Sequence, residues 1–120
     1  MPFAFDSCVR EGILHLTLTG DLLGDADSAA LLRLAEAHIA TGTLFGLADL
    51  SGIRFLNSNG LSVLISLLTH FRNAGGELLI AAPSPALHKL LVITRLEAIF
   101  TLAPTVAAAE QQLRTLASTL

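Results

Sequence analysis

Residues 44–71 read LFGLADLSGIRFLNSNGLSVLISLLTHF, and this stretch decides the fold because it joins a buried strand to an amphipathic helix. The run from Leu44 to Leu50 has the near-continuous apolar pattern of a buried strand. Beyond it, helical spacing is kept by the apolar residues Leu61, Leu64, Ile65, Leu68 and Phe71. The four residues from Asn57 to Gly60 are turn formers and separate the two elements. The stretch therefore predicts the first half of a β-α-β unit.

Ser58 lies in this turn, at or next to the N-cap of the predicted helix. The first amides of a helix lack intrahelical acceptors and carry the positive end of the helix dipole, so they favour a hydroxyl and, more strongly, a phosphate. A short polar turn between two buried elements lies at the surface, where a kinase reaches it. The local pattern alone favours the simpler interpretation, in which Ser58 only caps the helix.

The rest of the chain alternates short strands with helices and predicts one α/β domain over residues 1–120. Strands are predicted over residues 3–9, 13–19, 44–50, 77–82 and 99–102. Helices are predicted over residues 26–40, from the Asn57–Gly60 turn to about 73, after the Ser84 cap and from Pro104. This order, with short apolar strands, predicts a mixed, mostly parallel sheet with helices packed around it.

Length and composition are typical of a domain that binds another protein. The chain has 120 residues, enough for one core, with 52% hydrophobic and 14% charged residues. Its apolar runs are much shorter than the ~18 residues of a membrane span, so membrane insertion is not expected. Exposed apolar surface in a small domain usually marks a protein contact. A net charge of -3 with a single lysine, Lys89, provides no basic stripe, so nucleic-acid binding is not expected.

The N-terminal residues and the single cysteine both favour a cytoplasmic protein. The opening MPFAFD lacks the charged region and the long apolar region of a secretory signal. Cys8 is the only cysteine, which excludes an internal disulfide and suits a reducing compartment. Because Cys8 falls within the first predicted strand, we expect a buried structural thiol.

Residue patterns for catalysis or cofactor binding do not emerge, so we expect neither an enzyme nor a cofactor. The four histidines lack the paired spacing of metal ligands, and no cysteine pair joins them: His15, His38, His70 and His88. Ser58 does not lie in the G-x-S-x-G motif of an acyl nucleophile. Gly75-Gly76 lacks the lysine and hydroxyl residue of a phosphate loop and instead predicts the end of a helix.

The segment over residues 49–61, DLSGIRFLNSNGL, resembles the signature of the STAS domain, the module of bacterial anti-sigma factor antagonists. In that family an apolar strand, a D-x-S segment and an F-x-D-S-[ST]-G-L turn precede the helix. The resemblance continues in Gly20-Asp21-Leu22 and in Ser84-Pro85-Ala86, and covers nearly the whole chain. Two positions depart from the pattern: Asn57 replaces the acidic residue, and Asn59 replaces the usual Ser or Thr.

The resemblance implies a protein-interaction switch that regulates transcription. In its unphosphorylated form, such a protein binds an anti-sigma factor that is a serine kinase, and the sigma factor is released. The kinase then phosphorylates the serine that corresponds to Ser58, and a phosphoserine phosphatase restores the hydroxyl. The partner-binding residues implied are Asp21, Leu22, Asn57, Asn59 and Gly60, with Ser62, Val63 and Ser66 on the exposed side of the central helix.

A second hypothesis keeps the STAS domain but removes the switch. The chain would then be a fixed interaction subunit of a transporter or sensor complex that is never phosphorylated. Asn57 and Asn59 favour this alternative slightly, because they are the positions where the turn departs from the family pattern.

Overall fold

The described part of the chain folds as one five-stranded sheet with helices on both faces. The computed structural model describes residues 2–118. The strands are β1 (Ala4–Arg10), β2 (Ile13–Leu22), β3 (Phe45–Leu56), β4 (Glu77–Ala81) and β5 (Thr101–Ala103). The helices are α1 (Ala26–Ala40), α2 (Ser58–Asn73), α3 (Pro85–Ile93) and α4 (Val106–Ser118), and a 3-10 turn over Leu96–Ala98 precedes β5.

The sheet order is β1-β2-β3-β4-β5, with β1 antiparallel to β2 and all other neighbours parallel. Each parallel connection returns through a helix, as the β-α-β units require. The predicted α/β domain with a mixed, mostly parallel sheet is therefore confirmed. The predicted bounds of the first helix, residues 26–40, also agree with α1.

Strands β2 and β3 run further than predicted, to Leu22 and Leu56 instead of residues 19 and 50. Their parallel pairing shifts register twice, between Thr17 and Thr19 and between Gly20 and Asp21, with one extra residue in β3 each time. An extra residue in one strand changes the sheet face to which the following side chains point. Strand β3 can therefore continue without placing its polar side chains in the core. As a result, the carboxyl ends of both strands reach the turn that precedes α2.

Two apolar cores lie on opposite faces of the sheet. The larger joins α1, α2 and α3 to the sheet and includes Leu16, Leu31, Leu64 and Leu91, all at most 1% exposed. The smaller lies under α4 and consists of Ile13, Leu47, Leu79, Ala81, Ala103, Ala109 and Leu113. The last helix thus packs on its own domain.

Cys8 is exposed, so the prediction of a buried thiol is wrong. The side chain shares a sheet face with His15, its partner in β2, and α4 covers part of this face. However, α4 packs mainly on β3, β4 and β5; it meets β1 at Arg10, through Glu110, and leaves Cys8 exposed. A strand pattern in sequence cannot show which strands a helix covers.

His15 lies buried, 6% exposed, where α4 meets the β1–β2 hairpin. Arg10 Nη2 donates to His15 Nδ1 at 3.3 Å, and Glu110 Oε1 lies 3.7 Å from the same nitrogen. Arg114 joins Glu110 at 3.3 Å and Glu11 at 3.2 Å. Burial, followed by the Arg10 charge, lowers the pKa of His15, and the two glutamates oppose this only in part. His15 is therefore held as a neutral acceptor.

We expect the substitution His15→Gln to make stability less sensitive to acid. Because the pKa of His15 is lower in the folded chain than its ordinary value of 6.5 in the unfolded chain, its contribution to stability is present above pH 6.5 and is lost as the pH falls. Melting temperatures at about pH 7.5 and about pH 5 should therefore differ less in His15→Gln than in the natural protein. The matched control is His88→Gln, at an exposed histidine of α3. Equal acid sensitivity of all three proteins would contradict the prediction.

Candidate functional site

The turn from β3 into α2 places Asn57 at the N-cap. Asn57 has an extended backbone, and its Oδ1 accepts a hydrogen bond from Gly60 N at 2.8 Å. Its carbonyl oxygen accepts from Leu61 N at 2.9 Å. Ser58 is the first helical residue, next to the cap, so the interpretation of Ser58 as the cap itself is wrong. The short polar side chain of Asn57 performs that role instead.

The Ser58 side chain is available for chemistry. Ser58 is exposed, and within residues 2–118 its Oγ makes no hydrogen bond. Its carbonyl oxygen accepts from Ser62 Oγ at 3.1 Å, and the first turn of α2 contains no acidic residue. Since the Asn57 side chain binds the third amide of the helix, the amides of Ser58 and Asn59 remain at the positive end of the helix dipole. A phosphate attached here would gain these two donors.

The β2–α1 loop packs against this turn with no room for further atoms. A Cβ on Gly60 would lie 2.1 Å from the Leu22 carbonyl oxygen and 2.8 Å from Leu56 Cδ1. A Cβ on Gly24 would lie 2.6 Å from Asn59 Cβ, and Gly24 also has a positive φ of 76°. The two glycines therefore hold the loop and the first turn of α2 in direct backbone contact.

Most of the predicted partner-binding residues meet at this end of the sheet. The parallel pairing of β2 and β3 places Asp21 beside Phe55 and Leu22 beside Leu56, just before the turn. The predicted residues with exposed or partly exposed side chains are Asp21, Asn57, Asn59, Ser62 and Ser66. Whether any of them contacts a partner stays a prediction.

Three of the predicted residues are buried. Leu22 is 0% and Val63 is 7% exposed, and Gly60 is buried under the β2–α1 loop. The expectation that Val63 lies on the exposed side of the helix is therefore wrong. Helix α2 packs against α1 as well as against β3 and β4. Its buried face is therefore wider than that of a helix that contacts only a sheet, and it includes Val63. Val63 and Leu22 therefore lie in the core beneath the exposed residues of this turn and do not themselves face solvent.

The sequence reasoning missed two exposed apolar side chains beside Ser58. Phe55 is 56% and Leu23 is 39% exposed. Phe55 occupies the aromatic position of the family turn, which is a signal that could have identified it. Its exposure follows from the second bulge, which turns it to the sheet face shared with Asp21. We use the term Ser58 surface for Asp21, Leu23, Phe55, Asn57, Ser58 and Asn59.

Outside the Ser58 surface, the described residues form a further groove at one end of the sheet. A shallow groove of about 480 Å³ lies at the carboxyl ends of β4 and β5, lined by Pro83, Pro85, His88, Leu102, Ala103 and Pro104. Across residues 2–118, no group of three or more His, Cys, Asp or Glu side chains is placed to hold a metal ion. In the same range, none of the helices is long and apolar enough to cross a membrane.

The chain belongs to the STAS domain family, whose family model matches residues 4–109. The match includes all five strands, the first three helices and the turn that carries Ser58. The family expected from the turn sequence is thus confirmed.

Solved structures of anti-sigma factor antagonists share this fold. One from Mycobacterium paratuberculosis is 25% identical, with a TM-score of 0.78 over 94% of this chain and 95% of that chain. A protein assigned to the same class from Thermotoga maritima is 18% identical, with a TM-score of 0.82 over 92% and 94% of the two chains. The phosphorylated form of the Bacillus cell fate determinant SpoIIAA is 18% identical, with a TM-score of 0.71 over 91% and 98%.

Proposed function

We propose that this protein is an anti-sigma factor antagonist that is switched by phosphorylation of Ser58. In the unphosphorylated form it binds a serine-kinase anti-sigma factor in the cytoplasm and causes release of the sigma factor. It acts by binding and not by catalysis. The observation that carries the proposal is an exposed Ser58 at the first position of α2, a short way along the chain from the exposed Phe55 at the end of β3. Membership in the STAS family and the antagonist structures that share the fold support it.

The switch acts through charge. A phosphoserine carries about -1.5 to -2 charges at neutral pH, and these would lie inside the Ser58 surface beside Leu23 and Phe55. A partner that covers those apolar side chains would have to remove water from the phosphate, which costs more than the contact returns. Because the free amides of Ser58 and Asn59 stabilise the phosphate in the unbound protein, the modified chain keeps its fold. A phosphoserine phosphatase restores binding.

The test is phosphorylation by candidate kinases. The protein is incubated with ATP and each histidine-kinase-like anti-sigma factor of its organism in turn, and the products are mapped by mass spectrometry. We expect one phosphate, on Ser58, absent in Ser58→Ala and retained in the control Ser62→Ala, one helical turn away. Binding to such a factor without phosphorylation would contradict the switch and favour a fixed interaction subunit of a transporter or sensor complex.

We expect Phe55 to contribute a large share of the binding energy. Aromatic side chains that are hot spots at the centre of an interface typically cost about 2 kcal/mol or more when truncated, so Phe55→Ser should weaken binding by about thirtyfold or more. Stability should change little because Phe55 is 56% exposed. Titration calorimetry against the anti-sigma factor measures the affinity. The control is Ile93→Ser, an equally apolar side chain that is 67% exposed on α3. An equal loss in both variants would show that Phe55 has no special role.

A further inference from the structure

Strand β1 leaves one edge of the sheet without a neighbouring strand. Within residues 2–118, β1 pairs with β2 only. Its residues from Asp6 to Arg10 are all exposed, and Val9 is 44% exposed. The opposite edge is β5, which has three residues. A seven-residue edge with free backbone groups is a template for a further strand.

The hairpin turn determines which backbone groups of β1 point outward. Glu11 and Gly12 have φ values of 54° and 77°, and they form a two-residue turn between Arg10 and Ile13. Turns of this type close on a hydrogen-bonded pair, and pairs alternate along an antiparallel ladder. Arg10, Cys8 and Asp6 therefore bond to β2. The N–H and C=O groups of Phe5, Ser7 and Val9 point away from the sheet.

We propose that β1 pairs with β1 of a second copy of this chain, in an antiparallel register centred on Cys8. In this register the outward groups of Ser7 bond to Val9 of the second copy, and those of Val9 bond to its Ser7. Asp6 lies opposite Arg10 of the second copy, and Arg10 lies opposite its Asp6. All of these positions are exposed, and the Arg10 side chain is 63% exposed although it also contacts Glu110.

Charge selects this register from the alternatives. The outward groups match only when the two strands shift by an even number of residues. A twofold axis at Asp6 would place Asp6 opposite Asp6 of the second copy. An axis at Ser7 would place Asp6 opposite Cys8 of the second copy. Among the registers that align the outward groups of β1, the one centred on Cys8 forms two Asp6–Arg10 pairs. Cross-strand pairs of opposite charge stabilise a sheet, and like charges oppose pairing.

The dimer leaves the Ser58 surface free. Ser58 follows β3, and β2 lies between β3 and the β1 edge. Because the two copies pair antiparallel, their Ser58 turns lie at opposite ends of one continuous sheet. The dimer therefore presents two independent docking sites. The inference does not depend on phosphorylation of Ser58, and its failure would leave the proposed function unaffected.

The first test measures mass as a function of concentration. We expect sedimentation velocity of the reduced protein to show a monomer–dimer equilibrium. Asp6→Lys places a lysine opposite Arg10 of the second copy and should raise the dissociation constant about tenfold or more. The control is Thr17→Lys, an exposed position on the same sheet face of β2 that is not at the edge. A natural protein that stays monomeric at every concentration, or equal effects of the two lysines, would overturn the proposal.

The second test uses Cys8 to report the register. Opposed thiols at a pair without hydrogen bonds lie within the reach of a disulfide. With oxidised glutathione, each thiol loses a proton, two electrons pass to the glutathione disulfide, and two reduced glutathione molecules leave as the Cys8–Cys8 bond forms. We expect a covalent dimer that dithiothreitol reverses. Moving the thiol by one residue, as Ser7→Cys in a Cys8→Ser background, should largely abolish it. Equal cross-linking from both positions would overturn the register.

Discussion

Gly60→Val is expected to lower the stability of the protein more than any other substitution discussed for this surface. A Cβ at this position would lie 2.1 Å from the Leu22 carbonyl oxygen, which is backbone and cannot rotate away. Overpacking of a close contact typically costs 1–3 kcal/mol, and we expect about 3 kcal/mol because β2 and α2 would both have to move. For a domain of this size that corresponds to a fall in Tm of about 10 °C or more. Thermal unfolding followed by circular dichroism measures it.

The control for Gly60 is Gly12→Ala in the β1–β2 turn. A Cβ on Gly12 meets no atom within 4 Å, but φ is +77°, so this variant carries only the cost of a left-handed backbone. That cost is about 1–2 kcal/mol. A Gly60→Val variant no less stable than Gly12→Ala would show that the loop relaxes freely and that the close packing beside Ser58 is not required.

Ser58→Ala and Ser58→Asp are expected to have opposite effects on partner binding at nearly equal stability. Because Asn57 is the N-cap, alanine at Ser58 should cost well under the ~1 kcal/mol of a lost cap. Aspartate in the first turn favours the helix dipole and should be at least as stable. The alanine variant should still bind the anti-sigma factor but resist phosphorylation. The aspartate variant should bind at least about tenfold more weakly, because it carries an uncompensated charge into the interface.

Melting temperature and affinity are measured on the same two proteins, so a folding defect cannot imitate a binding defect. The matched control for net charge is Gln112→Glu, which adds a carboxylate at an exposed position of α4. This variant should bind as the natural protein does. Equal affinities of Ser58→Ala and Ser58→Asp would contradict the switch and leave the fixed interaction subunit as the better hypothesis.

The helix signals in the sequence were reliable because their causes are local. Ser84 caps α3 by accepting from Leu87 N at 3.2 Å, and Pro85 takes the first helical position, as predicted. Ser58 lies next to the cap of α2, one of the two positions that the turn sequence allowed. A cap bond spans three residues, so the residues that decide it are adjacent in the chain.

The strand ends were less predictable. The apolar run predicted a strand from Leu44 to Leu50, but β3 continues to Leu56 through two bulges. A bulge depends on the register of the neighbouring strand, and residues of β3 cannot specify that register alone. The exposure of Phe55 depends on the same register, so the family turn could mark Phe55 as a candidate but could not show how far its ring is exposed.

The sequence determined the secondary structure of this protein, whereas the tertiary structure decided which side chains are buried. The order of strands and helices, the mixed sheet, the STAS resemblance and the position of Ser58 followed from apolar spacing, caps and turn residues within short segments. The exposure of Cys8 and the burial of Val63 and His15 did not follow. Each depends on which helix covers which strand, and those contacts join residues far apart in the chain. Local signals select the secondary structure, whereas packing between distant segments decides which side chains face a partner.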